Sequence, residues 1–172
     1  MCSALQTDTP ARRVGLSLGS NSGDRLALLE SCCDLLSAVF GDLRLSQVYE
    51  TEPVNCPPGS PAFLNACVEV YTDLPAEEIL AHCQRIEHEL GRTRSGTYGE
   101  ARTCDIDLLY CGTEQRHTPQ LTLPHPRAHL RRFVLQPLCD IDPGLVLPGC
   151  QQTVAALLAR LPEHPAAHPF DL

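Results

Sequence analysis

Lysine is missing from this chain: all 13 basic residues among its 172 are arginine. The absence excludes a P-loop, whose signature needs a lysine to reach the nucleotide phosphates. With 21 acidic residues the formal net charge is −8. That balance weighs against a nucleic-acid partner, which calls for a basic face. The seven histidines add charge only at mildly acid pH. The 10 cysteines contain no Cys-x-x-Cys pair, so no zinc site is signalled. Several occupy apolar positions of amphipathic segments, where cysteine behaves as a small hydrophobe. The expectation is reduced thiols in a cytoplasmic protein rather than a disulfide scaffold. Residues 1–13 are polar and do not read as a signal peptide. No apolar run approaches the roughly 18–20 residues of a membrane span. Internal repeats and a dividing linker are also absent, so the length suits one domain with a real core.

What is present is organised around Arg102-Thr103-Cys104-Asp105-Ile106-Asp107-Leu108-Leu109-Tyr110. Taken with a period of two, Cys104, Ile106, Leu108 and Tyr110 share one side of a strand, and Asp105, Asp107 and Leu109 the other. The two carboxylates are then roughly 6.5–7 Å apart at the backbone. Aspartate is disfavoured in strands, and like charges on one face repel. A hard divalent cation between them resolves both problems, and two such ions can clamp a polyphosphate. Arg92, Arg94 and Arg102 approach the pair through a loop with glycines at 91, 96 and 99, and guanidinium forks suit phosphate oxygens. The plainer alternative is a solvated edge strand with two surface aspartates.

The rest of the pattern reads in order. Val14, Leu16 and Leu18 mark a first strand, and Gly19 to Asp24 a turn and helix start. A helix over 25–40 carries the stripe Leu26, Leu29, Cys33, Leu36 and Phe40. A second strand spans about 43–49. Residues 50–62, with four prolines, form a long loop of the kind that is often functional. A third strand, 63–72, places Leu64, Ala66, Val68 and Val70 on one face and Phe63, Asn65, Cys67, Glu69 and Tyr71 on the other. Asn65 beside Phe63 suits the reading of a flat heterocycle, although a capping or solvent-facing asparagine is the plainer account. A second helix follows Pro75 and stops at Gly91. After the Asp-x-Asp strand come a polar hairpin or loop, an extended Leu121–Pro126, a helix over 127–139, a short apolar segment at 145–147 and a small helix at 152–161. The tail from Pro162 reads as frayed. The order β-α-β-β-α-β with a C-terminal extension predicts an α+β, ferredoxin-like core, an antiparallel sheet that the extension turns into a three-layer α/β/α sandwich. The domain is expected over 12–161, with flexible termini at 1–11 and 162–172.

Several blocks in this order resemble the 6-hydroxymethyl-7,8-dihydropterin pyrophosphokinases of folate biosynthesis. They are Leu18-Gly19-Ser20-Asn21, Tyr49-Glu50-Thr51, Phe63-Leu64-Asn65-Ala66, Gln84-Arg85-Ile86-Glu87 and Gly91-Arg92-Thr93-Arg94. Arg102 to Asp107, Leu123-Pro124-His125-Pro126-Arg127 and Arg132-Phe133-Val134-Leu135 complete the series. The resemblance implies ATP-dependent transfer of a diphosphate group to the pterin's hydroxymethyl oxygen, with release of AMP. It assigns Asp105 and Asp107 to two Mg²⁺ ions, and Arg92 and Arg102 to charge on the transferred group. Phe63 and Phe133 would sandwich the pterin, with Asn65 and the backbone around Thr51, Pro53 and Val54 at its edge. Gln84, Glu87, Arg94, Leu108, Thr122, His125 and Arg131 would line the ATP site. The implied partners are these small molecules, with neither nucleic acid nor membrane, and the implied state is a monomer. The chain departs from the family at Gly99-Glu100-Ala101, where members often carry Trp-Gly-Pro, and at Ser22 and Gln120. The alternatives are a non-catalytic paralogue that binds pterin or nucleotide, and another two-metal phosphoryl or nucleotidyl transferase. The residues alone stop at a Mg²⁺-dependent enzyme acting on a polyphosphate.

Overall fold

A computed structural model of the protein describes residues 10–53, 57–92 and 104–172. Its elements follow as β1 (Arg12–Ser20), α1 (Arg25–Phe40), β2 (Arg44–Leu45), β3 (Tyr49–Thr51), β4 (Phe63–Thr72) and α2 (Ala76–Arg92). Then come β5 (Asp105–Cys111), β6 (Arg116–His117), β7 (Thr122–Leu123), a 3-10 turn (Ala128–Leu130), α3 (Arg132–Ile141), α4 (Val154–Arg160) and β8 (Ala167–Pro169). The main sheet has the order β5-β1-β4-β3-β8, with β2 also paired to β4, and the neighbours are antiparallel. That is the ferredoxin-like plan with β8 added at one edge. β6 and β7 form a separate ribbon.

Alternation along β1, β4 and β5 divides the side chains between two helical layers. Val14, Leu16, Leu18, Leu64, Val68, Val70, Ile106 and Leu108 pack with Leu29 and Leu36 of α1 and Ile79, Cys83 and Ile86 of α2. Asp24 caps α1 by accepting from the Ala27 N–H. Cys67, Leu109 and Tyr110 face the other way, against α3 and Val154 of α4. The extension therefore supplies the third layer. The eight described cysteines are free. Burial raises the thiol pKa of Cys83 to about 12 and of Cys111 to about 11 and keeps both protonated.

Five details differ from the sequence expectation. Tyr110 does not share a face with Ile106 and Leu108. Leu16 lies opposite Leu108 and Gly15 opposite Tyr110, so Leu109 is an extra residue and this bulge turns Tyr110 over. The expected second strand is split, because the register on β4 slips by one residue between Leu45 and Tyr49. The second helix runs through Gly91 to Arg92. The tail beyond Pro162, expected as frayed, contributes β8, with Thr51 of β3 opposite Ala167. Residues 127–139 are also less regular than one helix: Arg131 is extended and separates the 3-10 turn from α3.

The bulge buries a polar network. Glu69 is 1% exposed. Its Oε2 accepts from Arg13 Nε and Nη2 at 3.1 and 2.9 Å and from the Tyr110 hydroxyl at 2.7 Å. Burial, then the adjacent Glu69 carboxylate, raise the Tyr110 hydroxyl pKa and keep it a donor. The ring of Tyr110 lies directly over Gly15: a Cβ there would fall 2.2 Å from its Cε1. Gly15→Ala is therefore expected to cost at least ~1–3 kcal/mol, the usual range for forcing extra atoms into a packed interior. Urea unfolding measures it. A smaller cost in a Tyr110→Leu background would trace the loss to the ring, and a Gly15→Ala protein as stable as wild type would contradict the packing.

Candidate active site

The second face of the sheet is apolar only where α3 and α4 cover it. Towards the β3 end of β4 the inward positions become small or polar. Gly19 lies opposite both Asn65 and Asp105, and Ser17 opposite both Cys67 and Asp107. Ser17, Gly19, Asn65, Asp105 and Asp107 cannot build an apolar core, and a cavity of about 480 Å³ opens above them. Phe63, Asn65, Asp105, Asp107, Arg131 and Phe133 are among its walls. Asn65 is 4% exposed. Its amide N–H donates to Thr51 Oγ1 at 2.6 Å, across the β3–β4 pair. A Cβ on Gly19 would stand 3.3 Å from Asn65 Oδ1, so the missing side chain leaves the amide room. The Arg131 guanidinium sits 5.3 Å from the centre of the Phe133 ring, a cation–π contact.

Asp105 and Asp107 are half-buried on the same wall. Among the described residues, no third acidic, histidine or cysteine side chain joins them in a cluster able to hold a metal. A pair of carboxylates with open surroundings fits Mg²⁺, which keeps waters and takes substrate phosphates beside one or two protein carboxylates. His125 reports on the same region. Its imidazole pKa is lowered, first by burial; Asp107 acts the other way, and Arg131 and Arg127 add to the lowering. The backbone N–H of His125 donates to the Leu109 carbonyl at 2.8 Å and so ties its segment to the edge of β5.

Residues 15–143 match the family model of 7,8-dihydro-6-hydroxymethylpterin-pyrophosphokinase. The chain belongs to this family. Proteins named 2-amino-4-hydroxy-6-hydroxymethyldihydropteridine pyrophosphokinase agree with the assignment. The one from Bacillus subtilis (strain 168) is 44% identical over 128 residues, covering 73% of this chain and 75% of its own. The one from Mycobacterium leprae (strain TN) is 42% identical over 162 residues, covering 87% and 83%. A Plasmodium falciparum HPPK-DHPS crystal structure superposes with a TM-score of 0.72 at 15% identity, over 90% of this chain and 44% of that one. It supports the fold. As a member of the pyrophosphokinase family the chain is an enzyme, a diphosphate transferase.

Several residues expected for a pyrophosphokinase site converge: Thr51, Phe63, Asn65, Asp105, Asp107, Arg131 and Phe133 all line the cavity. Others stand apart from it. Leu108 puts its side chain into the layer of α1 and α2. Glu87 accepts from the Ile106 N–H at 3.2 Å on the edge of β5. Gln84 is on the exposed surface of α2, and Thr122 is on β7. Pro53 is half-buried just past β3. Val54, Arg94 and Arg102 lie outside the described residues, as does the side chain of Arg92. Sequence reasoning missed Ser17, Arg127, Arg132, Leu161, Pro162, His164 and Pro165 as cavity walls. Arg127 and Arg132 stood inside recognised motifs, whereas nothing in the tail's pattern marked it.

In metal-free protein, NMR titration is expected to give His125 a pKa below the ordinary 6.5. Asp107→Asn should lower it further, because the charge that opposes the burial effect is then gone. A His125 pKa unmoved by that substitution would remove Asp107 from its surroundings.

Proposed function

We propose that this chain transfers the β,γ-diphosphate of ATP to the hydroxymethyl oxygen of 6-hydroxymethyl-7,8-dihydropterin. The substrate hydroxyl gives up its proton to solvent, its oxygen bonds to the β-phosphorus, the bond from that phosphorus to the α,β-bridging oxygen breaks, and AMP leaves with that oxygen. One observation carries the reading: Phe63, Phe133 and the Thr51-held Asn65 share a single cavity with Asp105 and Asp107. A flat heterocycle needs the first group, and a polyphosphate needs the second.

In this reading Phe63 and Phe133 stack against the pterin, and Asn65 pairs with its edge. Thr51 takes one amide proton of Asn65 and so fixes which way the amide points. Asp105 and Asp107 hold two Mg²⁺ ions, which when bound offset the charge of the phosphate oxygens. Arg127 and Arg131, on the cavity wall, meet anionic oxygens with planar forks. Arg92, Arg94 and Arg102 are assigned the same work on the resemblance alone. Gln84, Glu87, Leu108, Thr122 and His125 belong with the nucleotide. In support, Glu87 and His125 both hydrogen-bond backbone groups of β5, the strand that bears the aspartates. The chain's contribution is placement and charge, which suits phosphoryl-type transfer.

Incubation with ATP, Mg²⁺ and the pterin should yield AMP in step with the pyrophosphorylated pterin; ADP in place of AMP would refute the transfer. Asp105→Ala and Asp107→Ala should each reduce turnover by on the order of 10²–10³-fold or more, the scale of losing one preorganised electrostatic group. Circular dichroism should show both variants folded. Wild-type rates in either would remove the metal assignment.

A further inference from the structure

The C-terminal segment reaches the same cavity. Leu161, Pro162, His164 and Pro165 all line it, and they lie beyond residue 143, where the family match ends. The segment is fastened at both ends. On one side Arg132 Nη2 donates to the carbonyls of Leu161 and Pro162 at 3.2 and 2.8 Å. On the other, β8 pairs with β3, and the Phe170 N–H donates to the Val48 carbonyl at 2.8 Å. The Phe170 ring packs against the layer of α1 and α2, with the Arg25 guanidinium 5.9 Å from its centre. Residues 161–165 are thus spanned between two anchors and cannot drift from the opening without breaking one of them.

We propose that this segment is a working wall of the heterocycle subsite and that His164 contacts the substrate there. The inference rests on the function proposed above. Leu161, Pro162 and Pro165 offer apolar surface with no side-chain donor. His164 is the residue of the segment that lines the cavity and also carries both a donor and an acceptor when neutral, the pairing that the edge of a pterin calls for. Glu163, its neighbour, is exposed and lies outside the lining. The wall is also joined to the reader of the ring: β8 sets Ala167 opposite Thr51, and Thr51 holds Asn65. His164 is therefore a specificity residue for the heterocycle and not for the nucleotide.

The test uses the full chain with His164→Ala and Glu163→Ala, both at exposed positions. Calorimetry with Mg²⁺ and a non-hydrolysable ATP analogue present gives the pterin Kd, and steady-state kinetics gives KM for each substrate. His164→Ala is expected to raise the pterin Kd and KM by about fivefold to tenfold, the scale of one lost hydrogen bond. The KM for ATP should stay within about twofold, and Glu163→Ala should match wild type throughout. A pterin Kd unchanged by His164→Ala, an equal rise in the KM for ATP, or an equal loss in Glu163→Ala overturns the proposal. The wild type separates the two readings. If it forms AMP and pyrophosphorylated pterin while His164→Ala is indistinguishable from it, the wall alone falls. If it forms no pyrophosphorylated pterin and binds no pterin with the analogue present, both fall.

Discussion

A carboxylate shut away from water holds the second half of this molecule in place. Glu69 lies in β4 with its side chain wholly inaccessible. Arg13 of β1 and Tyr110 of β5 donate to it, so one residue fastens the three adjacent strands on the face that receives α3. Arg13 also reaches Asp142 at the end of that helix, at 3.0 Å. Arg44, 3.6 Å from the other oxygen of Glu69, donates to the Ile141 carbonyl at 2.8 Å. Two arginines and two carboxylates thus form a neutral set. Such a set adds little net stability over an apolar packing, but leaving the buried Glu69 charge without its cations costs ~3–5 kcal/mol. Its effect here is positional. α3 is clamped at its C-terminal end, and its first turn, Arg132 and Phe133, is a wall of the cavity.

The site exists because the face changes character along its length. Cys67, Leu109 and Tyr110 are apolar enough to be covered by α3 and α4. A few residues on, Ser17, Gly19, Asn65 and the two aspartates offer no apolar surface for a helix to bury. The third layer stops there and the cavity begins. The boundary between core and site is therefore a boundary in hydropathy on adjacent strands, and the antiparallel register brings its members side by side.

Period and capping made much of this legible. The helix over 25–40, the strand over 63–72 and the placing of Asp105 and Asp107 on one face follow from regular patterns that tertiary packing did not disturb. The misses have identifiable causes. A bulge is a change of register between two strands, and the sequence of one strand does not show it; hence Tyr110 was placed on the wrong face. Gly91 is in ordinary helical space and need not end a helix. β8 is three residues, Ala167–Pro169, too short to show alternation, and its pairing depends on β3 far away in the chain. The cavity role of Leu161, Pro162, His164 and Pro165 is legible only once that pairing is known.

The two borders of the sheet are treated alike. On β5 a glutamate side chain occupies the Ile106 N–H and a backbone N–H occupies the Leu109 carbonyl. On the other side β3 is covered by β8, a very short strand that ends in proline. Open strand borders are templates for pairing with other chains, and here both are blunted within one polypeptide. The cover over β3 is made from residues more than a hundred positions later, so a growing chain carries that border bare until residues 167–169 have been synthesised. The strand exposed in that interval includes Thr51, which later holds Asn65. One short segment thus does two things: it lines the cavity at residues 161, 162, 164 and 165, and a few residues later it closes a sheet border.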